Sequence, residues 1–301
     1  MAASFKLPNG SDIYIDSISH RCDSLINSSI WSGIERNHLR NWLRSFNTNE
    51  EKYFASILLD NLIFRSNQQT KALMIQGMQR SLPEALKDLP QYDAYRGNWI
   101  NILKRNLNFV KLVPVIGEDD SPAKSGPTMA RKYNSELNVH NSNIIYPDAI
   151  EKAKRDGANL FIFIDDFCGT GKQFLRFFDE VNDAFDDEDC LIFMPLCMHS
   201  KGKTKIFNKH SNILVVAPEN LSDEDRFFKE DAELLPDQVN TFGDLKVFYK
   251  KLLKQRVGNI RNPFGFGKLG LTYAFSHGTP NATLPLLWST QNQQINLLKR
   301  H

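Results

Sequence analysis

The chain has 301 residues, 41% of them apolar, and a net charge of only +2. That is enough length and apolar content for one large domain or a domain and a half, and too little charge bias for a disordered or wholly nucleic-acid-coating protein. No apolar run approaches the roughly 18 residues of a membrane span, the first residues lack an apolar signal core, and the four Cys show no Cys-x-x-Cys spacing, so we expect reduced thiols, a cytoplasmic location and no membrane contact.

Charge is unevenly spread. Residues 179 to 189 hold seven acids, whereas Leu245 to His301 holds none and carries nine Lys and Arg. Such asymmetry fits either a polyanionic partner or a solvated basic face. Lys250, Lys251 and Lys254 are the nucleic-acid candidates.

In chain order, residues 1 to 16 offer a short β-like run at Ile13 to Ile15. From Ser17 to Leu89 the apolar spacing is helical. Ile18, Cys22, Leu25 and Ile26 form one stripe, and Leu39, Trp42, Leu43 and Phe46 a second. Thr48 and Glu51 make a capping box before the third stripe, Tyr53 to Leu62. The two helices about the Phe46–Asn49 turn suit a helical cap or a DNA-reading helix-turn-helix. The balance of 11 basic and 10 acidic residues in 1–100 favours the cap. We therefore expect a helical domain over 1–90.

Residues 91–244 read as an α/β core. A helix bridges 91–110, and Val110–Ile116 is a buried strand whose Pro114 marks its end or a sheet edge. A polar loop from Gly117 to Pro127 precedes a helix. Asn143–Tyr146, Leu191–Cys197 and Ile213–Ala217 are further strands, His199–Lys205 is a loop, and Ser222 caps a helix. Strands separated by helical segments predict a parallel sheet. Residues 245–301 form a basic helix and an irregular tail, expected to pack on the core and roof its pocket.

The core centres on Leu160 to Gln173. Leu160–Ile164 is a continuous apolar run suited to a strand buried on both faces. Asp165 and Asp166 follow, then Gly169, Thr170 and Gly171, then a helical pattern from Phe174. Free loop amides leading into a helix N-terminus suit an anion, and ionised carboxylates accept from vicinal hydroxyls. A P-loop is disfavoured, because Asp166 stands where its first Gly belongs and Gln173 where its Ser or Thr belongs. A ligand-free βα turn stays open. Cys168 is either a nucleophile or a small filler of the loop.

The central motif Ile-Asp-Asp-Phe-Cys-Gly-Thr-Gly-Lys-Gln resembles the signature of type I phosphoribosyltransferases. The resemblance implies that Asp165 and Asp166 hold the ribose hydroxyls, and that Gly169, Thr170, Gly171, Lys172 and Gln173 hold the 5′-phosphate. Lys124, Ser125 and Gly126, with Arg131, then stand where the family's pyrophosphate loop lies. The usual Thr and Ser/Thr are replaced by Gly169 and Gln173, which removes two hydroxyl donors; Lys172 supplies charge instead. No protein metal cage is implied: Mg²⁺ would arrive on the substrate. With Trp-Leu-Arg-x-Phe, Ser-Gly-Pro, Leu-Ser-Asp-Glu-Asp-Arg and Thr-Pro-Asn-Ala-Thr-Leu-Pro-Leu-Leu-Trp, the layout from about residue 30 to 290 is similar to phosphoribosyltransferase-like effectors of bacterial anti-phage (retron) systems. That resemblance implies a toxic effector acting on a ribose-phosphate donor, in company with a reverse transcriptase, its RNA/DNA product and a winged-helix protein. A non-catalytic module that senses a nucleotide and holds nucleic acid is the alternative.

Overall fold

The computed structural model describes residues 5–121, 124–228 and 239–300, and they form two compact units. The first comprises residues 1–68 together with 223–301; the second comprises 69–222.

The first unit begins with α1 (Ser11–Asn27), α2 (Arg36–Arg44) and α3 (Asn49–Asp60). The β-like run at Ile13–Ile15 belongs to α1. Pro8–Gly10 turns the chain, and the Ile18/Cys22 stripe extends back through Tyr14, whose ring meets Tyr53 at 5.4 Å. Ile13 is left 76% exposed. Thr48 caps α3 as its spacing predicts, accepting from the Glu51 N–H. Every residue from Tyr53 to Leu59 is buried, so α3 has no free face to enter a DNA groove, and the helix-turn-helix alternative falls. Two short strands absent from the helical expectation, β1 (Ile63–Arg65) and β7 (Tyr273–Phe275, the last strand of the chain), pair in parallel.

The second unit starts within α4 (Asn67–Gln76), which runs into a π turn at Gly77–Ser81 and then α5 (Leu82–Ala85). The expected 91–110 helix is only a 3₁₀ turn at Pro90–Tyr95 and α6 (Trp99–Leu103), separated by the positive-φ Gly97. Then come β2 (Val110–Pro114), α7 (Ser125–Leu137), α8 (Ile150–Arg155), β3 (Leu160–Cys168), α9 (Lys172–Val181), β4 (Cys190–His199), α10 (Ser200–Lys209), β5 (Ile213–Val215) and β6 (Glu219–Leu221). The five strands make one parallel sheet in the order β2-β3-β4-β5, with β6 pairing the later part of β4 beyond β5. This is the expected parallel α/β core beside N-terminal helices. Pro114 is the last residue of edge strand β2, where its missing N–H costs least.

Phenylalanine fills one face of this sheet. Phe163 meets Phe174, Phe177, Phe178 and Phe185 edge-on at 5.7–5.8 Å, and Phe174 stacks on Phe193 at 3.8 Å. Three expectations differ. Asn143–Tyr146 contributes one bridge, Ile144 to Leu112, rather than a strand. His199–Lys205 begins helix α10, because Gly202 and Ile206, four apart, share a buried face. The helix expected after Ser222 is a 3₁₀ turn at Asp223–Asp225; its continuation past Phe228 lies outside the described residues.

Residues 245–300 belong to the first unit rather than forming a third segment. The basic helix α11 (Phe242–Arg256) is opened by a capping box between Thr241 and Asp244. Its Leu245, Tyr249, Leu252 and Leu253 share one core with Trp42, Phe54 and Leu58 and with Leu284, Leu286 and Leu287 of the tail. The tail is irregular as its prolines require, with a 3₁₀ turn at Pro285–Leu287.

Candidate functional site

The site lies in the second unit, at the carboxyl end of β3. The strand runs four residues further than its apolar stretch suggests. Asp165 pairs in register with Pro195, and Cys168 with Met198. Strand β2 stops earlier, its Pro114 opposite Ile164. Asp165 is thus the first residue of β3 without a β2 neighbour, and the chain that leaves β2 returns to fill that place.

The return is made by the first turn of α7. A Cβ on Gly126 would stand 2.5 Å from the Val115 carbonyl oxygen, so only glycine lets this turn lie against the end of β2. That approach delivers Ser125. Its Oγ donates to Asp165 Oδ1 at 2.6 Å, and the same oxygen accepts from the Asp166 N–H at 2.9 Å. The Gln173 amide reaches the other oxygen, Oδ2, at 3.4 Å.

The two acids are not equivalent. Asp165 is buried, whereas Asp166 is partly exposed. Burial, and then the neighbouring Asp166 charge, push the Asp165 carboxyl well above its ordinary range; the bonds from Ser125 and the Asp166 N–H only offset this in part. The pair therefore places a buried carboxyl that resists ionisation beside a partly exposed one.

The loop after β3 turns at Gly169 and Thr170 and enters α9 through Gly171, at φ +73°. Gly171 offers no side chain to cap the first turn of α9. One loop amide is already engaged: the Gly171 N–H bonds the Cys168 sulfur. Burial, aided by the Asp165 charge, pushes the Cys168 thiol up to about 12, so it fills the loop and is no nucleophile at neutral pH. Cys22 and Cys190 are likewise pushed up to about 12 by burial, and all four cysteines are free thiols.

Gly202 did not stand out in the sequence. A Cβ there would lie 2.8 Å from the Gly169 carbonyl and 3.0 Å from Cys168 Sγ. A Cβ on Gly171 would in turn meet the Gly202 carbonyl at 3.0 Å. The first turn of α10 therefore presses on the loop through a glycine pair. His199, which ends β4, caps that turn by accepting from the Lys201 N–H at 3.2 Å. A lone Gly in a Lys-rich stretch carries no signal of such a contact.

The loop between β2 and α7 is organised differently from its sequence reading. Lys124 Nζ lies 2.7 Å from Asp120 Oδ1, and Arg176 of α9 binds the same carboxylate. Burial alone would raise Asp120, but bonds from Lys124, the Gly117 N–H and Arg176 outweigh it and hold the carboxyl low. The Glu118 N–H donates to Glu180 at 3.0 Å, a second tie from the loop to α9. Ser125 and Gly126 are thus brought to the acids, while Lys124 serves the loop. Arg131 lies outward on α7, on Thr128. Lys172 is exposed at the start of α9. Pro122 and Ala123 lie outside the described residues. Lys250, Lys251 and Lys254 sit on α11 of the first unit. Among the described residues no three His, Cys, Asp or Glu are grouped to hold a metal ion, and no helix is long and apolar enough to cross a membrane.

A parallel sheet whose interior strand ends in an acid pair and a glycine loop opening a helix defines an open α/β protein with its ligand crevice at the carboxyl end of β3. A comparison with protein families matches residues 39–300 to PRTase-CE, and the chain belongs to that family. No curated protein and no solved structure matches the chain.

Proposed function

We propose that this chain binds a ribose-phosphate donor of the phosphoribosyl pyrophosphate kind and breaks its C1–oxygen bond. The observation that carries the reading is the Ser125–Asp165–Asp166 cluster at the mouth of the Gly169–Gly171 loop. The partly exposed Asp166 accepts from a ribose hydroxyl, and Asp165 orients the second hydroxyl once Ser125 yields its place. Amides of the loop and of the first turn of α9 receive the 5′-phosphate, with the helix dipole favouring its charge. Lys172, at the first position of α9, adds a cation near that phosphate. The acceptor attacks C1 as pyrophosphate departs, through an oxocarbenium-like state that the nearby carboxylate charge stabilises. The oxygen-only donor set of the acid pair fits a Mg²⁺ ion carried in on the donor, which would neutralise pyrophosphate charge.

The layout that resembles anti-phage effectors supports a cellular role in growth arrest beside a reverse transcriptase and a winged-helix companion. Family membership supports the chemistry; the role rests on the resemblance. The competing non-catalytic reading is favoured by one observation: Lys124, expected on the pyrophosphate, is paired with Asp120 instead.

Calorimetric titration with Mg²⁺ and phosphoribosyl pyrophosphate tests the proposal, with an Asp165→Asn, Asp166→Asn double variant as control. Saturable binding that weakens at least tenfold in a folded double variant is expected, and the same variant should no longer arrest growth when expressed. Equal binding by both proteins overturns the site. Binding without release of pyrophosphate under any acceptor favours the sensing module.

A further inference from the structure

Of the nine basic residues of the acid-free tail, two arginines are spent on neighbouring side chains. Arg256 is internal. It donates to Ser45 and to Gln294, and its guanidinium lies 4.2 Å from the Phe46 ring centre. Arg300 is likewise spent, 4.0 Å over Trp288 and bonded to Asn281. Lys251 and Lys254 of α11 are not used in this way, whereas Lys246 and Lys250 lie against the Phe264 ring.

Helix α11 buries Leu245, Tyr249, Leu252 and Leu253 and exposes Val247, Lys250, Lys251 and Lys254. The exposed four follow i, i+3, i+4, i+7 spacing and so form one stripe. Lys246 adjoins it. The helix's only acid, Asp244, is consumed by the Thr241 cap. Among the described residues, none of these four lysines makes an ion pair.

A second observation comes from Phe264. Lys246 and Lys250 both stand 5.4 Å from its ring centre. Phe228 and Tyr249 fix that ring from behind, at 5.5 and 5.7 Å. A ring face attracts a cation, but two ammonium groups gathered at one ring repel each other. An anion near the two ammonium groups would offset that repulsion.

We infer that this stripe is a docking surface for the phosphate backbone of a single-stranded nucleic acid. Lys246, Lys250 and Lys254 recur about every 6 Å along the helix axis, a row of charges along which one flexible strand of phosphates can lie. Lysine is a point charge without the bidentate fork that reads a base, so the contact is sequence-independent. A lipid surface would want an apolar face, and Val247 is the stripe's only apolar member. The inference does not rest on the phosphoribosyl reading.

The test is binding of a fluorescent 20-nucleotide oligo(dT) to the full chain across a salt series. Four phosphate contacts give a logarithmic salt slope of about −2.8, or about a 50-fold loss between 50 and 200 mM salt. The Lys250→Gln, Lys251→Gln, Lys254→Gln variant should retain a slope of about −0.7. The three lysine-to-arginine substitutions, and the Asp165→Asn, Asp166→Asn protein, should keep the wild-type slope. A flat wild-type slope overturns the inference, as does a glutamine variant that binds within twofold of wild type. Tighter binding to phosphatidylserine vesicles or to polyglutamate than to the oligonucleotide also overturns it, in favour of a membrane or an acidic peptide-binding role respectively.

Discussion

Asp165 is the buried acid at the end of β3, and its burial is costly when it is charged. Its carboxyl is buried beside a second acid, so its folded-state value is raised above that of the unfolded chain. The sign follows from linkage. The contribution is fully favourable at low pH, where the group is protonated in both states, and is lost as pH rises through the raised folded value. Replacing Asp165 with Asn keeps a group that can accept from Ser125 and removes the charge. Thermal unfolding should show the Asp165→Asn protein gaining roughly 1–3 kcal/mol over wild type at pH 8 and little at pH 4. An equal gain at both pH values would mean that ionisation is not the cause.

At the scale of elements, the site depends on helices that approach a strand end more closely than side chains permit. Gly126 lets α7 meet β2, and Gly202 lets α10 meet the loop between β3 and α9. Gly202→Ala would place a methyl 2.8 Å from one backbone atom and 3.1 Å from another, so the backbone must shift. We expect a loss of about 1–3 kcal/mol in thermal stability and, if the proposed site is right, weaker donor binding by calorimetry through a displaced Gly169–Gly171 loop. Normal binding by a destabilised Gly202→Ala protein would show that α10 supports the fold and not the loop. Gly97, by comparison, has open space around it, and the same substitution there would meet only the strain of its positive φ.

At the scale of the whole molecule, the two ends of the chain make one unit. Strand β1 pairs with β7, and Thr272 Oγ1 donates to the Asn61 carbonyl across a sequence separation of 211 residues. Arg256 binds Ser45 across a separation of the same length. A chain truncated after residue 240 lacks α11 and the tail leucines, and should leave α1–α3 without a core. Circular dichroism and hydrogen exchange should then show the first 68 residues unprotected. A truncated chain with normal protection there would mean that the N-terminal helices fold by themselves.

Much of the core was legible without coordinates. The run Leu160–Ile164, the acid pair and the glycine turn predict a buried parallel strand feeding a helix, because unbroken apolar runs and φ > 0 turns are local properties. The Thr48 cap and the prolines that keep the tail irregular were local in the same way. Sequence alone therefore determined the buried strand β3, the turn after it and the helix α9 that follows, but not that α10 begins at Ser200. Only the tertiary structure decided that Asp165, not Asp166, is the buried acid, that Ser125 reaches it while Lys124 turns to Asp120, and that the tail joins the N-terminal helices. Those outcomes depend on where one strand stops beside another and on which distant apolar faces share a core, and neither quantity has a period that a single segment can display.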